Sequence, residues 1–387
     1  MRDGWIETTL GELAEISTGS RAKGGAITSG IPSIGGEQIA EDRSIKFNKM
    51  KFVPDEHFEN MRSGKLIFGD SLLVKDGATT GKIGHWNYSI PAAVNEHVFI
   101  LRARPNMAEP YFINLLISQQ SFREEIKSRT RGIIGGITRD IENIEFVVPL
   151  IPEQKRIVDL ISSVDSYIES LQKQLESAKR SRNAVLHELL TAGGDDWVVR
   201  NLPEVVEVLD RMRKPINATE REDRQGKIPY YGANGQTGWI DEYIFNEELV
   251  LLGEDAIDFA DPSARKAYLI QGPSWVNNHA HVLRADKTII NSYFLMESLN
   301  KVDYSQYVSF GTRSKLTQAS MNGIKLLIPP MKIQEKFVDL LENFDKVIEA
   351  TQSSIEDSKE LRAGMLSNLL SGEHEIPASY DKVMGAA

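Results

Sequence analysis

The sequence predicts an α+β chain built twice over: a strand-rich domain, a long helix, a second strand-rich domain and a second long helix. Three observations carry this. Pro149–Leu190 aligns without a gap on Pro329–Leu370 at a constant offset of 180, with identities that include Gln154/Gln334, Asp165/Asp345, Arg182/Arg362 and Leu186/Leu366. Both stretches place apolar residues at alternating steps of four and three. The segments before them share landmarks and differ in between.

The first domain, residues 1–148, opens on Trp5, Leu10, Leu13 and Ile16; Trp197, Leu202, Val205 and Val208 repeat this 192 residues on. Val94–Ala103 matches Val276–Ala285, and Tyr111-Phe112 matches Tyr293-Phe294, at offset 182. Gly132 and Thr138 match Gly311 and Thr317. Lys65–Val74, Ala92–Leu101, Glu248–Leu252 and His279–Leu283 read as strands, and Glu109–Ile126 and Ile289–Leu299 as amphipathic helices. Turn dipeptides such as Gly35-Gly36, Asp76-Gly77 and Asn234-Gly235 punctuate the runs. The intervals 17–89 and 209–271 hardly match. One frame with two sets of inserts is the pattern of a tool with two specificities, because loops vary where a frame cannot.

The first long helix, residues 149–194, has its seam at Ile157, Ile161, Val164, Ile168, Leu171, Leu175, Ala178, Arg182, Val185 and Leu189. The second, 329–372, repeats it at Phe337, Leu341, Phe344, Ile348, Thr351, Ile355, Ser358, Arg362, Met365 and Leu369. A 3.5-residue period held over more than four heptads predicts a coiled coil rather than two core helices. Gly193 and Gly372 stand where helix C-terminal glycines belong. Arg182 and Arg362 fall on the seam, where a charge fixes register or docks a partner. Antiparallel helices would set Arg182 level with Phe344, whose ring could stack on the guanidinium, and Arg362 level with Val164. The second domain spans 195–328. Residues 373–387 show no periodicity and read as a loose tail.

Composition bounds the function. The chain has 41% hydrophobic and 26% charged residues and no cysteine, which excludes disulfides and thiolate metal sites. No apolar run approaches membrane-spanning length, so no membrane partner is expected and the cytoplasm is the simplest location. The net charge of −10 disfavours nucleic acid at first sight, but residues 327–387 alone hold 6 basic and 11 acidic side chains. Basic residues cluster at 43–51, 123–139 and 211–227, which permits DNA binding.

No phosphate loop, nucleophile elbow or zinc helix is present. Gly132–Gly136 reads as a turn. His279 and His281 alternate and could share a strand face, but the first copy has His97 and Phe99 there, so a framework role is favoured over a metal. Pro54-Asp55 with Glu59 and Lys65 superficially suggests a nuclease, yet the second copy has no equivalent. No catalytic residue, metal or cofactor is expected.

Two dissimilar strand-rich units alternating with two similar helices resemble the specificity subunit of type I restriction–modification systems. The signals are Pro149…Gln154 and Pro329…Gln334 leading into the helices, Trp5…Leu10 and Trp197…Leu202, Leu72–Lys82, and Pro229–Gly235. The family's Glu before the helix Gln is kept at Glu153 and lost at Ile333. The resemblance implies two target-recognition domains, each reading half of a bipartite site in double-stranded DNA. It implies that the helices close antiparallel as an intramolecular coiled coil, act as a spacer and dock two methyltransferase subunits. A motor–nuclease subunit would join for restriction, and this chain would be non-catalytic. The seam from Ile157 to Leu189 would span about 48 Å at ~1.5 Å per residue, roughly 14 base pairs of duplex.

Base readout needs Arg, Lys, Asn, Gln, Ser or Thr reaching a groove from loops. In the first domain the candidates are Arg21, Lys23, Gln38, Thr79, Thr80 and Lys82. In the second they are Arg213, Lys214, Asn234, Gln236, Thr237 and Arg265. Arg131, Arg139, Arg313 and Lys315 are candidates for phosphate contacts. The rival reading is a coiled-coil assembly scaffold without DNA specificity.

Overall fold

The computed structural model describes residues 4–48, 50–129, 136–308 and 314–384. It forms two compact units, residues 1–172 with 353–387, and residues 173–352. The first unit runs β1 (Trp5–Thr9), α1 (Leu10–Leu13), β2 (Ala14–Thr18), β3 (Ile31–Ile34), β4 (Lys51–Val53), α2 (Asp55–Asn60), β5 (Asp70–Val74), β6 (Ile83–Trp86), β7 (Ala93–Val94), β8 (Val98–Ala103), α3 (Pro110–Ile117), α4 (Gln120–Arg129), β9 (Glu145–Pro149) and the start of α5 (Ile151–Thr191). The second unit continues from α5 through β10 (Val198–Asn201), β11 (Val206–Val208), α6 (Ala218–Asp223), β12 (Ile228–Gly232), β13 (Gly235–Ile240), β14 (Phe245–Asn246), β15 (Leu249–Gly253), β16 (Ala267–Ile270), β17 (Pro273–Val276), β18 (Ala280–Ala285), α7 (Ser292–Lys301), α8 (Gln318–Asn322), β19 (Lys325–Ile328) and the first half of α9 (Met331–Leu370). The rest of α9 and α10 (Tyr380–Met384) belong to the first unit.

Each unit repeats one topology. In the first, an antiparallel sheet β2-β8-β5-β6 faces a small sheet β4-β3-β7, in which β3 and β7 are parallel at Ile34↔Val94. In the second, β11-β18-β15-β16 is accompanied by β13-β12-β17-β14, with β12 and β17 parallel at Tyr231↔Val276. Val94 and Val276 are a landmark pair of the sequence. A two-stranded ribbon closes each domain, β1 on β9 and β10 on β19.

The continuous apolar runs follow from this layering, since a strand covered on both faces has no polar side to alternate. Every residue of β5 is buried. Leu73 packs with Phe99, Leu101 and the α3 residue Phe112, while Leu72 and Val74 pack with Ile34, Val94 and Ile100. In β15, Val250 and Leu252 join Phe294 and Leu295 of α7, while Leu249 and Leu251 join Val276 and Val282. The helix expected over Glu109–Ile126 is instead two, broken at Ser118, whose Oγ donates to the Leu115 carbonyl at 2.7 Å.

The long helices have 41 and 40 residues. All twenty expected seam positions are buried or half-buried. Gly193 (φ +65°) and Gly372 (φ +75°) end them in the left-handed conformation that glycine adopts without strain. The helices pair antiparallel within the chain: Asp165 meets Arg362 in the first unit, and Arg182 meets Asp345 in the second. Each arginine thus lies one residue from the expected level. The aromatic stack on Phe344 is replaced by an ion pair, because a desolvated guanidinium gains more from a two-pronged carboxylate than from a ring.

The duplicated glutamines have a physical role. Gln154 is buried; its Oε1 accepts from Glu109 N at 3.0 Å and its Nε2 donates to Met107 O and Pro149 O. Gln334 repeats this with Asn291 N, Ile289 O and Pro329 O at 2.8, 2.9 and 2.8 Å. One amide side chain ties each long helix to the turn before α3 or α7. The C-terminal stretch corrects the expectation of a loose tail. Ile376 is buried in the first unit's core, and Arg156 donates to Asp381 at 2.7 and 2.8 Å. One apolar anchor and one ion pair dock it, too short a signal for any period to show.

Candidate nucleic-acid interface

In both units a turn within the second sheet meets the loop that leaves the buried central strand. In the first unit these are the turn after β3 and the β5–β6 loop. Gly36 lies so close to this loop that a Cβ there would stand 2.1 Å from Thr79 Oγ1. In the second unit, the β12–β13 turn meets the β15–β16 loop, and Asn234 Nδ2 donates to the Ala256 carbonyl at 2.8 Å. Asn234, Gln236 and Arg265 line one concavity there, with Tyr231 and Tyr268 in its wall and Asp258 at its edge.

A histidine–aspartate pair clamps each loop at its root. His97 Nδ1 bonds Asp76, the second residue after β5, and its backbone N–H donates to Asn95 Oδ1 at 2.9 Å. His279 Nδ1 lies 2.7 Å from Asp255 Oδ1, with its N–H on Asn277 Oδ1 at 2.8 Å. The framework histidines are therefore partnered. His281 goes elsewhere. It is buried, its Nδ1 2.6 Å from Asp210 Oδ2 and its Nε2 2.8 Å from the Leu316 carbonyl. The two histidines do not converge on a common point, because His279 precedes the strand that His281 belongs to.

The candidates fall into three groups. Arg21, Lys23, Lys214, Gln236, Thr237 and Arg265 are exposed, and Thr79 and Thr80 are half-buried in their loop. Arg139 is exposed and lies 3.4 Å from Glu142. Lys82 is held 2.6 Å from Glu41. Two candidates, Gln38 and Arg213, are committed to the fold, while Lys315 stays half-exposed beside Glu254. Gln38 is 3% exposed and its Oε1 accepts from Gly35 N at 3.0 Å, so it shapes its own turn. Arg213 donates to Glu254 and the Ala280 carbonyl, both at 2.8 Å, and Lys315 sits 2.9 Å from Glu254. Burial alone would raise the pKa of Glu254; these two cations hold it below the ordinary value. Gln38 and Arg213, expected to reach a groove, are turned inward onto these partners. Arg131 and Arg313 lie outside the described residues, as does most of the Gly132–Gly136 stretch.

Sequence reasoning does not single out the aromatic surface of the second unit. Trp239 and Tyr243 are 50% and 52% exposed, while Arg221 stacks on Tyr230 and Arg224 on Trp275 at 5.0 and 4.9 Å. Only the density of Tyr and Trp over residues 230–243 hints at it.

The duplicated frame sets a matched pair of loops on the central sheet of each unit, the arrangement of a scaffold with variable loops. The model of the type I restriction modification DNA specificity domain matches twice, over residues 2–180 and 194–357, and the chain belongs to that family. Membership makes it a non-catalytic specificity subunit with DNA specificity as its role. A putative type I specificity subunit of Haemophilus influenzae is 31% identical over 42% of this chain and 40% of its own length, so this match spans two fifths of that protein. The putative MjaX specificity subunit of Methanocaldococcus jannaschii is 20% identical over 96% of this chain and 94% of its own. The type I S subunit from M. genitalium has a similar fold, with TM-score 0.62 and 16% identity over 95% of this chain and 96% of that one. Among the described residues no helix is long and apolar enough to cross a membrane.

Proposed function

We propose that the domains at 1–148 and 195–328 are target-recognition domains, each reading one half of a bipartite site in double-stranded DNA. The helical segments 149–194 and 329–372 set the spacing and dock two methyltransferase subunits, and a motor–nuclease subunit joins for restriction in the cytoplasm. One observation carries this reading: the same two loops converge in both units on a matched frame, while their sequences differ. Base readers are then Arg21, Lys23, Thr79, Thr80 and Lys82 in one domain and Lys214, Asn234, Gln236, Thr237 and Arg265 in the other. Arg131, Arg139, Arg313 and Lys315 would contact phosphates.

Docking of two like partners is supported by a repeated apolar stripe. Tyr167 and Val347, at matching positions, are 57% and 54% exposed; Leu340, one heptad before Val347, is 41% exposed, and its match Leu160 is half-buried. Exposed apolar side chains recurring at one heptad position fit a partner laid along the helix. A heptad inserted at matching points of both helices adds ~10 Å of rod at ~1.5 Å per residue. The selected gap between half-sites should grow by about 3 base pairs at ~3.4 Å each. An unchanged gap would sink the ruler.

A further inference from the structure

The first unit holds a cationic cleft that no part of the recognition reading uses. A cavity of about 620 Å³ is lined by Arg43, Arg123, Arg362, Glu41, Ser118 and Ser121, among others. Among the described residues that line it there is one carboxylate, Glu41, and it is drawn to Lys82 at 2.6 Å. Asp165, behind Arg362, already accepts from that arginine at 2.9 Å and from Tyr111 OH at 2.8 Å. Among the described residues the Arg43 side chain has one long 3.4 Å bond, to Asn114 Oδ1, and neither it nor Arg123 makes an ion pair within 4 Å. Burial and the charge of Arg362 push the Arg43 pKa below its ordinary value. Burial and Arg43 together push His85 down to about 4. These are the marks of surplus positive charge in a chain of net charge −10.

The duplication supplies an internal control. The matching cleft of the second unit is lined by Arg182, Arg265 and Lys301 but also by Glu297, Asp345 and Glu349. Glu297 Oε1 sits 2.6 Å from Arg182 Nη2. At offset 182 the first unit has Leu115 in its place, fully buried. Asp345 and Glu349 have counterparts in Asp165 and Glu169, so Glu297 is the acid that the first unit lacks. Arg43 also adopts a left-handed backbone, φ +72°, which a non-glycine residue takes only when its surroundings impose it.

We propose that this cleft binds a phosphate oxyanion, with Arg43 and Arg123 as its free donors, Arg362 as its wall, and the Ser118 and Ser121 hydroxyls within the lining. Guanidinium groups recognise phosphate oxygens two at a time, and the space admits a group larger than a bare ion. The oxyanion comes from a free phosphate compound or from the backbone of bound DNA. The first source does not depend on the DNA reading at all.

The test uses the full-length chain at constant ionic strength, with inorganic phosphate titrated against chloride and followed by calorimetry. Saturable phosphate binding is expected, weakened at least tenfold in Arg43→Gln and in Arg123→Gln, with Arg43→Lys in between. Arg123 is exposed on α4, so its variant decides the matter if Arg43→Gln fails to fold. If inorganic phosphate does not bind but each variant lowers the slope of log K for duplex DNA against log salt by about 0.9, the source is the DNA backbone. Phosphate binding unaltered in both variants, or neither effect, overturns the site. So does an oligoglutamate peptide that binds the cleft while both phosphate sources fail.

Discussion

Replacing Arg182 by Met tests how the helices are held in register. The arginine's side chain is 15% exposed and bonds Asp345 at 2.5 Å, Glu297 at 2.6 Å and Tyr293 OH at 2.9 Å. Glu297, at 7% side-chain exposure, would be left as a buried carboxylate without its cation. Asp345, at 35%, can turn to water, so its share is small. Breaking a buried pair costs about 3–5 kcal/mol, and the exposure of Asp345 sets the expectation at the lower end, about 3 kcal/mol. For a unit of this size that lowers the midpoint of thermal unfolding by roughly 6–12 °C. The assay is thermal unfolding followed by circular dichroism on the full chain. The double variant Arg182→Met/Glu297→Met removes the stranded charge and should recover most of the loss. A single variant within a degree of wild type, or a double variant no better than the single, would refute this account of the seam.

Three further outcomes follow from the same geometry. Gln334→Ala strands two carbonyls and one N–H in a buried turn and should cost roughly 2–4 kcal/mol in urea unfolding. Burial raises the Asp210 pKa, but His281, the Val282 N–H and Arg213 outweigh it and hold the folded value below the unfolded one near ~3.9. The stability this gives is complete above the unfolded pKa and is lost as pH falls through the folded value. Asp210→Asn should therefore flatten the fall of the unfolding midpoint below about pH 4. Arg265→Ala should weaken the DNA complex by ~1–3 kcal/mol and relax one position in one half-site; uniform weakening across sequences would assign it to the backbone instead.

Much of the frame is legible in the sequence. The offset of 180 between the helices marks both the duplication and the two glutamines, and the period of 3.5 marks every seam position. What the helical pattern does not show is the partner of each seam arginine. Asp165 and Asp345 flank the seam rather than lie on it, so they surface only once two helices are set side by side. Residue type and loop chemistry pick out candidate base readers, but they cannot tell an exposed Gln236 from a Gln38 folded back on its own turn. Arg213 fails for a like reason: besides the nearby Asp210 it bonds Glu254, 41 residues away. The aromatic surface around Trp239 goes unread because exposed aromatics look like core residues in a sequence.

The most direct test of the central claim is selection from a pool of randomised duplexes by the chain together with methyltransferase subunits, followed by sequencing of the bound fraction. Two short fixed blocks separated by a gap of constant length are expected, and exchange of residues 195–328 for a different unit should change one block alone. A single contiguous block, or no motif at all, would contradict two readers held on one rod.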